Sequence, residues 1–113
     1  MSDRDPTLTL QQILSHAKEA LALARGKSRA SLDDDRLLQL ALVRLLEIIG
    51  EGASRVPDSL RAQCPQIPWK EIVSARNRLI HSYDSVDYDI VWQVVATDLP
   101  PLVAELEQLL SRS

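Results

Sequence analysis

The apolar residues of the chain recur at helical spacing in most segments, and no segment alternates convincingly as a strand does. A first helix is predicted from a capping-box pattern at Thr9 and Gln12 to a glycine stop at Gly26. The polar residues 1–6 are predicted to be a flexible tail. The remaining residues, 7–113, are predicted to form one domain, because a chain of this length can bury a core of its own.

The second helix is predicted over about residues 33–51, and its apolar residues cover most of its circumference. Such a helix must be buried on several sides, so we expect a central helix, a dimer contact, or both. Gly50 and Gly52 are expected to break the helical pattern. The polar exceptions within it fall on one narrow stripe at about 100° per residue: Arg44, Glu47 and Glu51.

The second half of the chain continues the helical pattern. A short turn of helix is predicted near residues 58–63, and a third main helix from Pro68, which suits a first helical position. A polar turn over 82–87 precedes a last helical region, which Pro100 and Pro101 should kink or restart. These elements predict an all-α, up-and-down bundle of four to five helices.

Composition narrows the possible functions. The formal net charge of -3 argues against a bulk attraction to nucleic acid, so RNA binding would need a local basic cluster. The candidates are loop residues, for which solvated surface is the other interpretation: Arg25, Lys27, Arg29, Arg55 and Arg61.

One cysteine excludes an intrachain disulfide and a cysteine-based zinc site, and we expect no metal and no cofactor. The chain carries neither a signal-peptide pattern nor a run of about 18 apolar residues. We therefore expect no membrane association and a cytoplasmic location.

An arginine lies in an unusual position in the third main helix. On a helical wheel Arg76 lies at the centre of the apolar face, although a buried arginine normally needs a partner. Asn77 and His81 are four residues apart on the flank of that face, where the amide could orient the imidazole. Spacing alone leaves two interpretations open. Arg76 pairs internally with Glu47 or Glu51 while His81 caps the helix, or the guanidinium holds a phosphate while the imidazole moves protons.

The segment from Arg76 to Tyr83, with arginine, four residues, histidine, one residue and tyrosine, resembles the HEPN ribonuclease motif in the extended form typical of HepT-like toxins. The flanking sequences agree with that family: Ile48–Glu51, Ile67–Trp69, Val86–Asp87 and Val91–Trp92. The similarity extends from about Leu10 to Leu110. Gly52 departs from it, because the family pattern leads us to expect alanine there.

The resemblance implies a HEPN-like fold and a homodimeric, metal-independent ribonuclease with its site at the dimer cleft. Arg76 and His81 match the catalytic positions, and Asn77 and Tyr83 the supporting ones. The resemblance also implies a partner, an MntA-like nucleotidyltransferase antitoxin that silences the toxin by adding AMP to the motif tyrosine, here Tyr83.

Three functions therefore compete. The chain is an RNA-cleaving toxin, a non-catalytic HEPN binding subunit that docks with a separate nucleotidyltransferase, or a helical dimer with a purely structural role. The complete set of Arg76, His81 and Tyr83 favours the first, since an idle subunit need not keep all three.

Overall fold

The computed structural model describes residues 5–81 and 85–112, and within them every regular element is a helix. A 3₁₀ turn, Arg29–Asp33, precedes the second α-helix, and a π-helical segment, Val94–Asp98, precedes the last. The six α-helices are α1 Pro6–Ala24, α2 Arg36–Ser54, α3 Asp58–Arg61, α4 Trp69–Ile80, α5 Tyr88–Gln93 and α6 Leu99–Ser111. The predicted all-α bundle is confirmed.

Helix α2 lies at the centre of the bundle, packed between α1 and α4, while α6 packs on α1. Its buried face supplies Leu42 and Ile49 to the core. The core is aliphatic, as expected for a chain without phenylalanine, and its large, fully buried side chains include Ile13, Ile72, Leu99, Leu102 and Leu106. The two helices that pack on α2, α1 and α4, also border the candidate site.

Helix α1 begins earlier than the sequence pattern predicted. Asp5 is the N-cap, its carboxylate accepts from the backbone N–H of Thr7 at 2.9 Å, and Pro6 opens the helix. Thr9 is buried inside the helix instead of capping it. Proline suits the first turn because its missing N–H would have no helical partner there. The predicted tail over residues 1–6 is therefore wrong at Pro6, and residues 1–4 lie outside the described part.

Helix α2 also differs from its predicted bounds, since it starts at Arg36 and continues to Ser54, three residues past Glu51. Asp35 caps its start by accepting from the N–H of Leu38 at 3.0 Å. Gly50 and Gly52 do not break the helix, because both lie where a neighbouring helix approaches closely. The cost of glycine in a helix, about 1 kcal/mol, is offset by that packing.

The last helical region is interrupted, as its two prolines predicted, but the interruption precedes them. The backbone N–H of Leu99 donates to the carbonyl of Val94, one residue farther back than in an α-helix. Pro100 then lies in the first turn of α6, where no helical donor is lost. The wider turn brings Asp98 to the junction of the two helical segments.

Candidate functional site

Arg76 lies where α4 crosses α2 at its closest. A β-carbon on Gly50 would come within 2.2 Å of the Cβ of Arg76 and 3.2 Å of the carbonyl oxygen of Ile72. Only a residue without a side chain fits there. The arginine side chain is 25% exposed, so it lies at the edge of the core with its guanidinium outside it.

Glu51, one residue after Gly50, holds that guanidinium. One carboxylate oxygen accepts from Arg76 Nη2, and the other accepts from Arg55 Nη2 at 2.7 Å. Arg76 Nη1 donates to Asn77 Oδ1, also at 2.7 Å. Of the two internal partners that spacing allowed for Arg76, the structure has Glu51, and the guanidinium is fixed from two sides.

These groups line a cleft of about 290 Å³ between the start of α1, the second half of α2 and α4. Arg44 lies at its rim, with Nη1 3.3 Å from Glu47 Oε1. Three arginines and two glutamates line it, which leaves one net positive charge in a chain whose formal charge is -3. The lining residues are Thr9, Gln12, Arg44, Glu47, Ile48, Glu51, Gly52, Arg55, Arg76 and Ile80. An open cleft with an arginine held in place can bind an anion such as phosphate.

His81 is the C-cap residue of α4, as the internal-pairing interpretation expected, and its side chain is exposed. It does not line the cleft around Arg76. Among the residues that the structure describes, no hydrogen bond joins it to Asn77, whose amide oxygen is used by Arg76 instead. Within one chain, the Arg76 guanidinium thus lies in the cleft and the His81 imidazole lies outside it, just past the end of α4. Tyr83 lies outside the described residues.

The predicted basic loop residues have four different environments. Arg55 joins the cleft, and Arg25 and Lys27 are exposed after α1. Arg29 pairs with two aspartates, one of them Asp33 at 2.9 Å. Arg61 has a structural role, because it donates to the carbonyl of Ala53 at 2.8 Å and lies 5.8 Å from the ring centre of Trp69.

Sequence reasoning missed three residues of the cleft: Thr9, Gln12 and Arg44. Arg44 had a signal, since it shares the polar stripe of α2 with Glu47 and Glu51. Thr9 and Gln12 had none, because their place depends on how α1 packs. Gly52 fixes that packing, as a β-carbon there would lie 2.8 Å from Cγ1 of Ile13.

The described residues contain neither a cluster of metal-binding side chains nor a helix that could span a membrane. No group of three or more histidine, cysteine, aspartate or glutamate side chains in residues 5–81 and 85–112 could hold a metal ion. None of the helices in those ranges combines the length and the apolar character that crossing a bilayer requires.

Comparison with known proteins places this chain in a family. The model of the family described as "Ribonuclease HepT-like" matches residues 13–109. A protein of Methanocaldococcus jannaschii named "Putative RNase" is 35% identical over 95% of this chain and 98% of its own length. A "Probable ribonuclease HepT" of Thermococcus cleftensis is 40% identical over 66% of this chain and 68% of its own. No solved structure matches the chain.

Proposed function

This chain belongs to the HepT-like ribonuclease family, and we propose that it is a metal-independent RNA endonuclease that acts as the toxin of a toxin–antitoxin pair. The single observation that carries the proposal is the arginine cleft. In an acidic chain, Arg76 is held by Glu51 and Asn77 at the edge of an open cleft with two further arginines. The Arg76–Glu51 pair alone is also what the internal-pairing interpretation expects. The open cleft and its two further arginines are the part that a purely structural helix pair would not need.

In the proposed reaction, an arginine stabilises negative charge and histidines transfer protons. The 2′-oxygen of a ribose attacks the neighbouring phosphorus, and the 5′-oxygen of the next nucleotide leaves, so that a 2′,3′-cyclic phosphate and a 5′-hydroxyl form. Arg76 stabilises the negative charge of the phosphorane. Histidine imidazoles take the proton from the 2′-hydroxyl and give one to the leaving oxygen.

One copy of the chain offers one histidine in the motif, whereas the reaction needs a base and an acid. We propose that a homodimer supplies both, with His81 of each copy taking one of the two roles. The separation of His81 from the cleft of its own chain supports this arrangement. In a two-fold assembly, the imidazole of one copy can reach a phosphate held by the arginine of the other.

An exposed stripe along α2 supports the same assembly. Leu37 is 80% exposed and Leu40 51% exposed. At about 100° per residue, both fall within roughly 80° of the face that carries Arg44, Glu51 and Arg55. An apolar surface continuous with a charged cleft is typical of a protein interface. We propose that a second copy covers the leucines and thereby borders the cleft.

Regulation is proposed to act at Tyr83, through an MntA-like nucleotidyltransferase antitoxin. The tyrosine oxygen would attack the α-phosphorus of ATP, and pyrophosphate would leave. The AMP then adds negative charge and bulk a few residues from His81, which disfavours RNA on both counts. The alternative function, a non-catalytic HEPN subunit that docks with such a nucleotidyltransferase, predicts binding without cleavage.

The test compares the two histidines of the chain. His81→Ala should lower RNA cleavage by about 10²–10⁴-fold, the usual contribution of general acid–base catalysis. The matched control is His16→Ala on α1, which should cleave as the parent does. Cleavage is followed on a short labelled RNA with EDTA present, and the new 5′ ends are examined for hydroxyl groups. Equal cleavage by parent and His81→Ala would refute the catalytic assignment.

A further inference from the structure

A second cleft, of about 360 Å³, lies between α4 and the α5–π-helical segment. Its α4 residues include Ser74 and Arg78, which lie about 160° from Arg76 around the helix. The two clefts therefore open on nearly opposite sides of α4. The volume is in the range of small-molecule sites, and the proposed cleavage does not use this cleft.

Asp98 lines the second cleft and is 6% exposed. Among the residues that the structure describes, none donates a hydrogen bond to its carboxylate, although it lies at the N-cap of α6. Burial, and to a smaller extent the nearby Glu71, raise the pKa of this carboxyl group. Carboxylates on buried residues almost always have donors within the protein. The Asp98 oxygens have none in the described part of the chain and are open to the cleft, so a ligand that brings N–H donors can reach them.

The rest of the lining defines what that ligand must look like. Ala75 and Val94 give the cleft a buried, apolar part that suits a flat ring. The lining also carries two other carboxylates, Glu71 and Asp89, of which Asp89 is held by Arg29. Lys70 and Arg78 are exposed, and within the described residues neither has an ion-pair partner. The matching ligand has N–H donors on an apolar body and an anionic group that reaches the two cations.

We propose that this cleft binds a guanine nucleotide, with the base at Asp98 and the phosphate at Lys70 and Arg78. An ionised carboxylate can only accept hydrogen bonds. Guanine has two adjacent donors on one edge, the ring N1–H and the exocyclic amino group, which match the two carboxylate oxygens. Adenine and cytosine place a ring nitrogen acceptor beside their amino group, and uracil has a single N–H between two carbonyls.

The guanine can come from a free mononucleotide or from a guanosine within RNA. The proposal does not depend on the proposed function, because binding in this cleft can be measured whether or not the chain cleaves RNA. If the guanosine belongs to RNA, the cleft becomes a base-recognition site of the proposed nuclease.

The first experiment titrates the full chain with GMP, IMP and AMP by calorimetry. IMP keeps the ring N1–H of GMP but lacks its amino group. We expect GMP to bind about tenfold or more tightly than either of the others, the discrimination typical of one bidentate contact.

The second experiment changes the base specificity through Asp98. Asparagine offers one acceptor and one donor, which match xanthine, whose C2 oxygen replaces the amino group of guanine. Asp98→Asn should therefore lose affinity for GMP and gain it for XMP. The control is Asp89→Asn in the same cleft, which should keep the preference for GMP, because the Asp89 carboxylate is already held by Arg29 at 2.6 Å.

Three results would overturn the proposal: equal binding of GMP, IMP and AMP; no change of preference in folded Asp98→Asn; or Asp98-dependent binding of arginine amide with none of GMP. The last would identify the cleft as a site for a cationic side chain of a protein partner.

The source of the guanine is then distinguished with the His81→Ala variant and a short RNA. Weaker binding after its single guanosine is replaced by inosine indicates RNA, and unchanged binding indicates the free nucleotide.

Discussion

Asp98 carries an ionisable carboxyl group at a buried position. The residue is 6% exposed and its carboxylate has no donor in the described part of the chain, and the pKa of that carboxyl group is raised by burial first and by Glu71 second. A pKa raised in the folded state means that folding favours the protonated form. The stability that this group contributes is therefore complete in acid and is lost as the pH rises through the folded-state pKa.

Asp98→Asn should consequently be more stable than the parent at pH 7, because asparagine has nearly the same shape and no charge to desolvate. The difference should shrink as the pH falls and vanish below about 3.8, the ordinary pKa of the group. Urea denaturation of both proteins between pH 3 and pH 8 measures it. A constant difference across that range would contradict the assignment of the raised pKa to Asp98.

The role of Arg76 was only partly predictable from sequence. Its position on an apolar face required a partner, and the helical wheel reduced the choice to Glu47 or Glu51. Selecting Glu51 required the relative position of α2 and α4, which is set by tertiary packing. Asp98 gave no signal at all, because the burial of a single carboxylate depends on the π-helical turn that brings it inside.

At the scale of elements, the closest contact between α2 and α4 depends on Gly50. Gly50→Ala should destabilise the fold by about 1–3 kcal/mol, because its β-carbon meets the Cβ of Arg76, which no side-chain rotation can move away. The two helices must separate, and Arg76 leaves the position in which Glu51 holds it. Urea denaturation measures the loss, and RNA cleavage should fall with it.

Gly52→Ala is the matched control, two residues farther along the same helix. Its β-carbon would approach a side-chain atom of Ile13 at 2.8 Å, and alanine restores about 1 kcal/mol of helix propensity. We expect Gly52→Ala to lose less stability than Gly50→Ala, because the Ile13 side chain can shift whereas the Cβ of Arg76 moves only with its helix. Equal losses of stability in the two variants would show that the contact with Arg76 costs no more than the contact with Ile13.

The same two glycines explain why the end of α2 was predicted wrongly. Their low helix propensity suggested a helix end, and local sequence carries no information on what packs against them. The extent of α2 past Glu51 follows from contacts with α4 and α1. The amphipathic faces of α1 and α4, in contrast, were predictable, because they depend on a repeat that the chain shows directly.

For the whole molecule, the exposed leucines of α2 predict a dimer of about twice 12.6 kDa in light scattering. Leu37→Glu should shift it towards the monomer and lower RNA cleavage, since it places a charge in the proposed interface. Leu23→Glu is the control, a leucine on α1 that is 40% exposed and should leave the mass unchanged. A monomeric parent with full cleavage would contradict both the dimer and the shared site.

The proposed regulation at Tyr83 predicts a second property of the assembled protein. Co-expression with an MntA-like nucleotidyltransferase should add one or more AMP masses to the peptide that contains Tyr83 and suppress cleavage. Tyr83→Phe should resist the modification and escape suppression, while it keeps much of its activity. If the partner silenced Tyr83→Phe completely with no mass added, inhibition would be simple occlusion.

The pairing of Glu51 with two arginines has a consequence for ionic strength. Phosphates that bind to solvated lysines and arginines release small counterions, and each such contact adds about 0.7 to the logarithmic salt slope for single strands. In the cleft, Glu47 and Glu51 already neutralise two of three arginines, and these tethered anions are not released into solution. When RNA binds in this cleft, the logarithm of its binding constant should therefore fall with the logarithm of the salt concentration with a slope expected for about one phosphate contact, not for three. Its binding would then persist at salt concentrations that remove RNA from an ordinary basic surface.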